Sequence, residues 1–234
     1  IEGLPRSTGL HAAVMLISPE SFNETLPLIR SGKEGVLATS LNLDDAELSY
    51  VKFDFLALSF LETMANTQRD ADWRFDYHDE TLFHDDAVWD IIGSRNTTGI
   101  FQLGSKTYKD RMPRLKPRSI DELAACLALV RGPAISSKMD EVYMEILEGK
   151  KEIQHLHPLY DAVTADTNGV LLYQEQVMKL AVAFGMDLTT GYRIVKDGAH
   201  KKRDKLRQYR TRFVQNALER NCDEQTANQI FDLI

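Results

Sequence analysis

The sequence predicts an α+β fold, with a short strand-bearing segment followed by a mostly helical one. Three observations carry this. Residues 10–58 contain three strand-length apolar runs rich in β-formers, and from Asp86 onward the apolar positions recur at helical spacing. Between them the composition changes character, which makes residues 60–100 the one plausible boundary. At 234 residues, with 43% hydrophobic and 9% aromatic content, the chain has ample material for a core.

The strand candidates are LHAAVMLIS (10–18), which Pro19 bounds, VLATS (36–40) and YVKFDFLAL (50–58). Asp44, Asp45 and Glu47 fall in a short helix between the last two. SFLETMANT (59–67) then has helical spacing. The acidic stretch RDADWRFDYHDETLFHDD (69–86) offers Trp73 and Tyr77 as anchors. Its His78 and His84 fit no standard metal-ligand spacing, and a polar surface loop accounts for them.

Further on, DDAVWDII reads as a helix capped by Asp85 or Asp86 and ended by Gly93. Ser119, with Glu122 three residues later, opens a helix that runs to Val130. SSKMDEVYMEILEG forms another, closed by Gly149. GVLLYQEQVMKLAVAFG (169–185) places Leu172, Val177, Leu180, Ala181 and Phe184 on one face. KKRDKLRQYRTRFVQNALERN is a long helix whose apolar side, Leu206, Tyr209, Phe213 and Leu218, lies opposite a basic face. CDEQTANQIFDLI opens a last helix.

Several classes are excluded. Two cysteines, Cys126 and Cys222, stand 96 residues apart, which rules out a disulfide framework or a cysteine zinc site and fits reduced thiols. The first residues show no secretory signal pattern, and LHAAVMLIS is too short to span a bilayer. The expectation is a soluble, cytoplasmic chain without a membrane partner. Its net charge of −7 is uneven: Arg193 to Arg212 hold nine Lys/Arg against Asp197 and Asp204, a local +7 that leaves −14 elsewhere. Such a stripe steers polyanions to one place, although a solvated amphipathic helix gives the same pattern.

VKFDFLAL (51–58) sets Asp54 between two phenylalanines. Strand alternation turns Phe53 and Phe55 toward the core and Lys52, Asp54 and Leu56 the other way. Lys52 and Asp54 then form either an exposed ion pair or a metal-binding carboxylate with a basic neighbour for phosphate oxygens. Residues alone leave both open.

The order of segments narrows the choice. LPRSTGLHAAVMLISP, YVKFDFLAL, TTGIFQL, RLKPRSIDELAACLALVRGP, NGVLLYQEQVM and a basic helix followed by IFDLI resemble, over nearly the whole chain, one family. It is the alpha (catalytic) subunit of bacterial DNA polymerase III, the C-family replicative polymerases. The resemblance implies that residues 1–60 are the C-terminal portion of a nucleotidyltransferase-like palm. It also implies that residues 61–234 belong to a mostly helical fingers region, incomplete at its C-terminus. Three aspartates of that palm hold two Mg²⁺ ions, and KFDFL matches the strand of the third, which gives Asp54 the metal-binding, catalytic role with Lys52 beside it. The other two belong to an acidic pair further upstream with no counterpart in this chain; Asp44 and Asp45, being adjacent, do not face one way. The implied partners are dNTPs, primer–template DNA and a complementary chain carrying the rest of the polymerase. Alone, the chain is expected not to polymerise.

In the fingers, the family's arginine pair and Gly-Lys-Lys-Lys run meet the incoming triphosphate. IVKDGAHKKR (194–203) is the matching stretch: Lys196 falls on the second arginine, Val195 replaces the first, and His200, Lys201 and Lys202 fall on the lysine run, with Arg203 after it. Lysine lacks the planar fork of arginine, and Asp197 adds a negative charge where triphosphate is expected. Arg114, Lys116 and Arg118, around Pro117, are candidate phosphate contacts for DNA or plain solubilising cations. His11 reads as a structural histidine at a strand start.

Overall fold

A computed structural model describes residues 9–11, 13–31, 35–76 and 78–234, without the side chains of Leu43 and Asp44. The expected anchor Tyr77, the Asp44 side chain and residues 4–8 of the first resembling segment thus lie outside the described residues. The chain divides into two compact units, Ile1–Asp76 and Tyr77–Ile234.

The first unit runs β1 (Val14–Ile17), α1 (Phe22–Thr25), β2 (Leu28–Ser31), β3 (Val36–Thr39), α2 (Leu43–Glu47), β4 (Val51–Asp54) and α3 (Ser59–Asp70). Its strands make two antiparallel pairs. In β1–β4, Val14 lies opposite Asp54, Met15 opposite Phe53 and Leu16 opposite Lys52; β2 and β3 pair from Leu28 opposite Thr39 to Ser31 opposite Val36. No sequence expectation covers α1 or β2. A four-residue strand carries little signal of its own and is defined by its partner.

The alternation expected of β4 is present, but the burial of its faces is reversed. Phe53 is 45% and Phe55 59% exposed, and their rings lie against each other with centroids 6.2 Å apart. Met15, Ile17 and Val51 share the uncovered face with Phe53, whereas Val14, Leu16 and Lys52 are half-buried. The phenylalanines therefore do not anchor a core among the described residues. A two-stranded sheet has apolar side chains on both faces and covers only one.

The second unit is helical: α4 (Asp86–Ile92), α5 (Lys106–Leu115), α6 (Ile120–Leu129), α7 (Gly132–Ser136), α8 (Met139–Leu147), α9 (Pro158–Thr164), α10 (Gln174–Ala183), α11 (Leu188–Ala199), α12 (Arg203–Leu218) and α13 (Glu224–Asp232). Local caps start many of them. The Asp85 carboxylate accepts from Ala87 N at 2.9 Å, Ser119 Oγ from Glu122 N at 3.1 Å, Asp187 from Thr190 N at 2.8 Å and Asp223 from Thr226 N at 2.9 Å. Glu122 reaches back to accept from Arg118 N at 2.7 Å. Gly149 stands after α8 at φ +67°, the left-handed position that ends a helix.

Two clusters form the core of this unit. One gathers Trp89, Leu103, Met112, Leu129, Tyr143 and Met144; the other, Tyr160, Leu180, Phe184, Ile194, Phe213 and Phe231. Phe213 sits between Phe184 and Phe231, with ring centroids at 4.7 and 5.4 Å. A Cβ at Gly191 would meet Met178 Cα at 3.1 Å and Ala181 Cβ at 3.3 Å, so the close approach of α10 and α11 depends on that glycine. Two expectations are corrected. Leu218 is 52% exposed, and Ala217 takes the buried place at the end of α12, because the apolar stripe continues from Phe213 by four residues rather than five. Trp73 is exposed; Trp89 is the buried indole, donating to Phe83 O at 2.8 Å.

Candidate functional site

Two groups of side chains have the chemistry the sequence points to, one in each unit. The first lies on β4. Asp54, at the strand end, keeps an exposed carboxylate, and Lys52 two residues earlier brings its Nζ to 3.9 Å, as same-face placement requires. The closer partner is one the sequence reading omits: Glu47 Oε1, from the end of α2, lies 2.8 Å from the same Nζ. No signal in the sequence marks Glu47, because the turn that follows α2 sets the contact.

The second group is the corner where α11 gives way to α12. α11 ends at Ala199, His200 caps it, and Lys201 adopts φ +54°. The chain then reverses into α12. Lys196, His200, Lys201 and Arg203 are exposed and enter no ion pair among the described residues. Lys202 differs, since its Nζ lies 3.2 Å from Asp197 Oδ1. Asp197 is buried and also takes a hydrogen bond from Tyr209 Oη at 3.0 Å, with Lys205 Nζ at 4.0 Å. Burial acts to raise the Asp197 pKa, yet the bonds from Lys202 and Tyr209 outweigh it and hold the carboxyl below its ordinary value. Burial, with Asp197 alongside, pushes the Tyr209 hydroxyl up. Asp197 therefore does not stand among the exposed cations as a free negative charge.

The Arg114, Lys116 and Arg118 cluster is less open than expected. Arg114 lies in α5, not in a loop, and binds Glu148 at 2.6 Å and Glu141 at 2.7 Å; Arg118 pairs with Asp90 at 2.7 Å. Lys116 caps α5 at φ +43° and makes no ion pair among the described residues.

Comparison with known proteins agrees with this layout. The family model of the bacterial DNA polymerase III alpha subunit finger domain matches residues 57–221, and that of the alpha NTPase domain matches residues 1–57. The chain belongs to the bacterial DNA polymerase III alpha subunit family. Among its relatives, the DNA polymerase III subunit alpha of Aquifex aeolicus is 32% identical over 99% of this chain and 20% of its own length. That of Caulobacter vibrioides is 32% identical over 100% of this chain and 21% of its own length, and that of Campylobacter jejuni 34% identical over 100% and 20%. The chain spans about a fifth of the length of these relatives.

Within the family frame, Asp54 lies in the stretch matched to the NTPase domain and the α11–α12 corner in the stretch matched to the finger domain. A metal centre needs converging ligands. Among the described residues no group of three or more His, Cys, Asp and Glu is placed to hold a metal ion, and Asp54 offers one carboxylate of hard oxygen ligands. These residues do not make a Mg²⁺ site by themselves.

The tetrapeptide Tyr173–Gln176 has a clear structural part. Gln176 is buried; its Oε1 accepts from Leu172 N at 2.8 Å and Tyr173 N at 3.0 Å, and its Nε2 donates to Thr167 Oγ1 at 2.8 Å and Val163 O at 3.2 Å. It fastens the start of α10 to the end of α9 and leaves Gln174 and Glu175 exposed. A glutamine three residues after the cap position is the signal that marks it. No helix among the described residues is long and apolar enough to cross a membrane.

Proposed function

We propose that this chain supplies the end of the palm, residues 1–60, and much of the fingers, residues 61–234, of a cytoplasmic DNA-directed DNA polymerase. The reaction is nucleotidyl transfer from a dNTP to a primer 3′-hydroxyl on primer–template DNA. Asp54 serves as one of the carboxylates around the two Mg²⁺ ions, and Lys52, braced by Glu47, keeps a positive charge beside it. Lys196, His200, Lys201 and Arg203 form the phosphate-binding set; Lys202, in the same run, is paired with Asp197. Lys116, with Arg114 and Arg118, contacts the DNA backbone; Arg118 keeps this role because its exposed ion pair with Asp90 is weak and exchanges readily for phosphate, whereas Arg114 must first leave Glu141 and Glu148. The observation that carries the reading is the match of both family domains in chain order, with Asp54 exposed at the end of β4 supporting its proposed role.

The 234 residues provide one carboxylate of that set, so with primed template, dNTPs and Mg²⁺ they are expected to give no extension. Adding a chain that carries the acidic pair should restore synthesis, and Asp54→Asn should abolish it again. Extension by the 234 residues alone would overturn the reading. The alternative, a DNA- or nucleotide-binding remnant without chemistry, draws on the capture of Lys202 by Asp197. Salt-sensitive DNA binding without restored synthesis would select it.

A further inference from the structure

The α11–α12 corner already holds an anion of its own. The Asp197 side chain is 8% exposed, and the groups on it come from the basic run and the helix that follows: Lys202 at 3.2 Å, Lys205 at 4.0 Å and the Tyr209 hydroxyl at 3.0 Å. The backbone closes the same ring, Lys202 N donating to Asp197 O at 2.9 Å. An ionised carboxylate is costly to bury unless cations and donors meet it. The lysine that meets it most closely is therefore committed to the fold. Lys196, Lys201 and Arg203, exposed and without ion pairs among the described residues, are not. Lys201 at φ +54° marks the break between the last turn of α11 and the residue that pairs inward.

We propose that Asp197 is a positioning residue that acts as an internal counter-anion, withholding Lys202 from phosphate and leaving triphosphate to Lys196, Lys201 and Arg203. The inference rests on the reading of this corner as the triphosphate-binding one, and it gives the Lys202–Asp197 pair its part in it. It has two consequences. Lys202 is silent in binding while Asp197 is charged, and neutralising Asp197 releases an ammonium to the surface.

The test is calorimetric titration of the 234-residue chain with inorganic triphosphate. K201Q is expected to weaken binding by roughly 3- to 10-fold, the loss of one partly screened charge contact, and K202Q to change it by less than about 2-fold. D197N is expected to tighten binding several-fold, and D197N/K202Q to lose that gain. A merely structural role for Asp197 predicts no gain in D197N and nothing for K202Q to remove. The inference is overturned if K202Q weakens binding as much as K201Q, or if a folded D197N shows no gain. Should D197N fail to fold, the comparison of K201Q with K202Q decides alone. If wild type and K196Q, K201Q and R203Q all fail to bind triphosphate, the reading of the corner falls, and this inference with it.

Discussion

Residues 78–234 bury 25 apolar side chains in two clusters, whereas in the first unit only Leu26 and Ala46 are buried among the described residues. The difference follows from the kind of element each unit uses. Helices satisfy their backbone within themselves, and one apolar stripe per helix is enough to build a core. A two-stranded sheet exposes unpaired edges and a second apolar face, here Met15, Ile17, Val51 and Phe53, which calls for a covering layer. The unit with Asp54 is thus the less self-sufficient of the two.

One pair of substitutions should separate the units most widely. Phe213→Ala removes a ring wholly shielded from solvent between Phe184 and Phe231, and it should cost about 3–5 kcal/mol. Phe53→Ala removes an exposed ring and should stay within about 0.5 kcal/mol. The two tryptophans make the measurement direct, since Trp73 lies in the first unit and Trp89 is buried in the second. In a Trp73→Phe background, urea unfolding followed at Trp89 reports Phe213→Ala in the helical unit, and in a Trp89→Phe background Trp73 reports Phe53→Ala in the first unit. Comparable losses for both substitutions would mean that the sheet face is covered in solution, and the contrast between the units would fail.

A smaller effect belongs to the buried polar hub. Gln176→Ala leaves Leu172 N, Tyr173 N and Thr167 Oγ1 short of a partner and should cost about 1–3 kcal/mol. The same Trp89 signal checks it. Gln174→Ala, two residues away and exposed, serves as the neutral control. If the control costs as much as Gln176→Ala, the tetrapeptide owes its character to the surface rather than to this hub.

What the sequence revealed sorts by the reach of each interaction. The Asp85 cap, the Ser119–Glu122 pair and Gly149 were legible because each is settled within four residues. Asp187–Thr190 is equally local, yet no expectation covers the helix it opens, where the charges dominate the pattern. The shared face of Lys52 and Asp54 was legible from strand periodicity; its burial was not, because a layer beyond the strand decides it. Glu47 and Tyr209 escaped for the same reason: the fold brings them to Lys52 and Asp197, and no spacing announces it. Leu218 lies off the buried stripe, which returns four residues after Phe213, at Ala217. Asp197 was recognised as a charge out of place, and only the structure supplied the lysines that account for it.

The smallest expected effect is a pH dependence confined to the helical unit. Glu148 accepts from Arg114 at 2.6 Å and Lys150 at 2.7 Å, and these bonds, Arg114 foremost, hold its carboxyl down at about 2. In the unfolded chain the group returns to an ordinary value near 4.5. A carboxylate lowered in this way contributes stability that is fully present above the unfolded value and is lost as pH falls from about 4.5 toward 2. The pair is partly exposed, so salt screening keeps the contribution modest. Thermal unfolding at Trp89 between neutral pH and pH 2.5 should show the midpoint falling below pH 4.5, and Glu148→Gln should flatten that part of the curve while lowering the neutral-pH midpoint slightly. A profile unchanged by the substitution would place the acid sensitivity in the cap carboxylates Asp187 and Asp223, which Thr190 and Thr226 hold low by the same kind of bond. Helix starts rather than the α5–α8 contact would then be the first part of the core to loosen in acid.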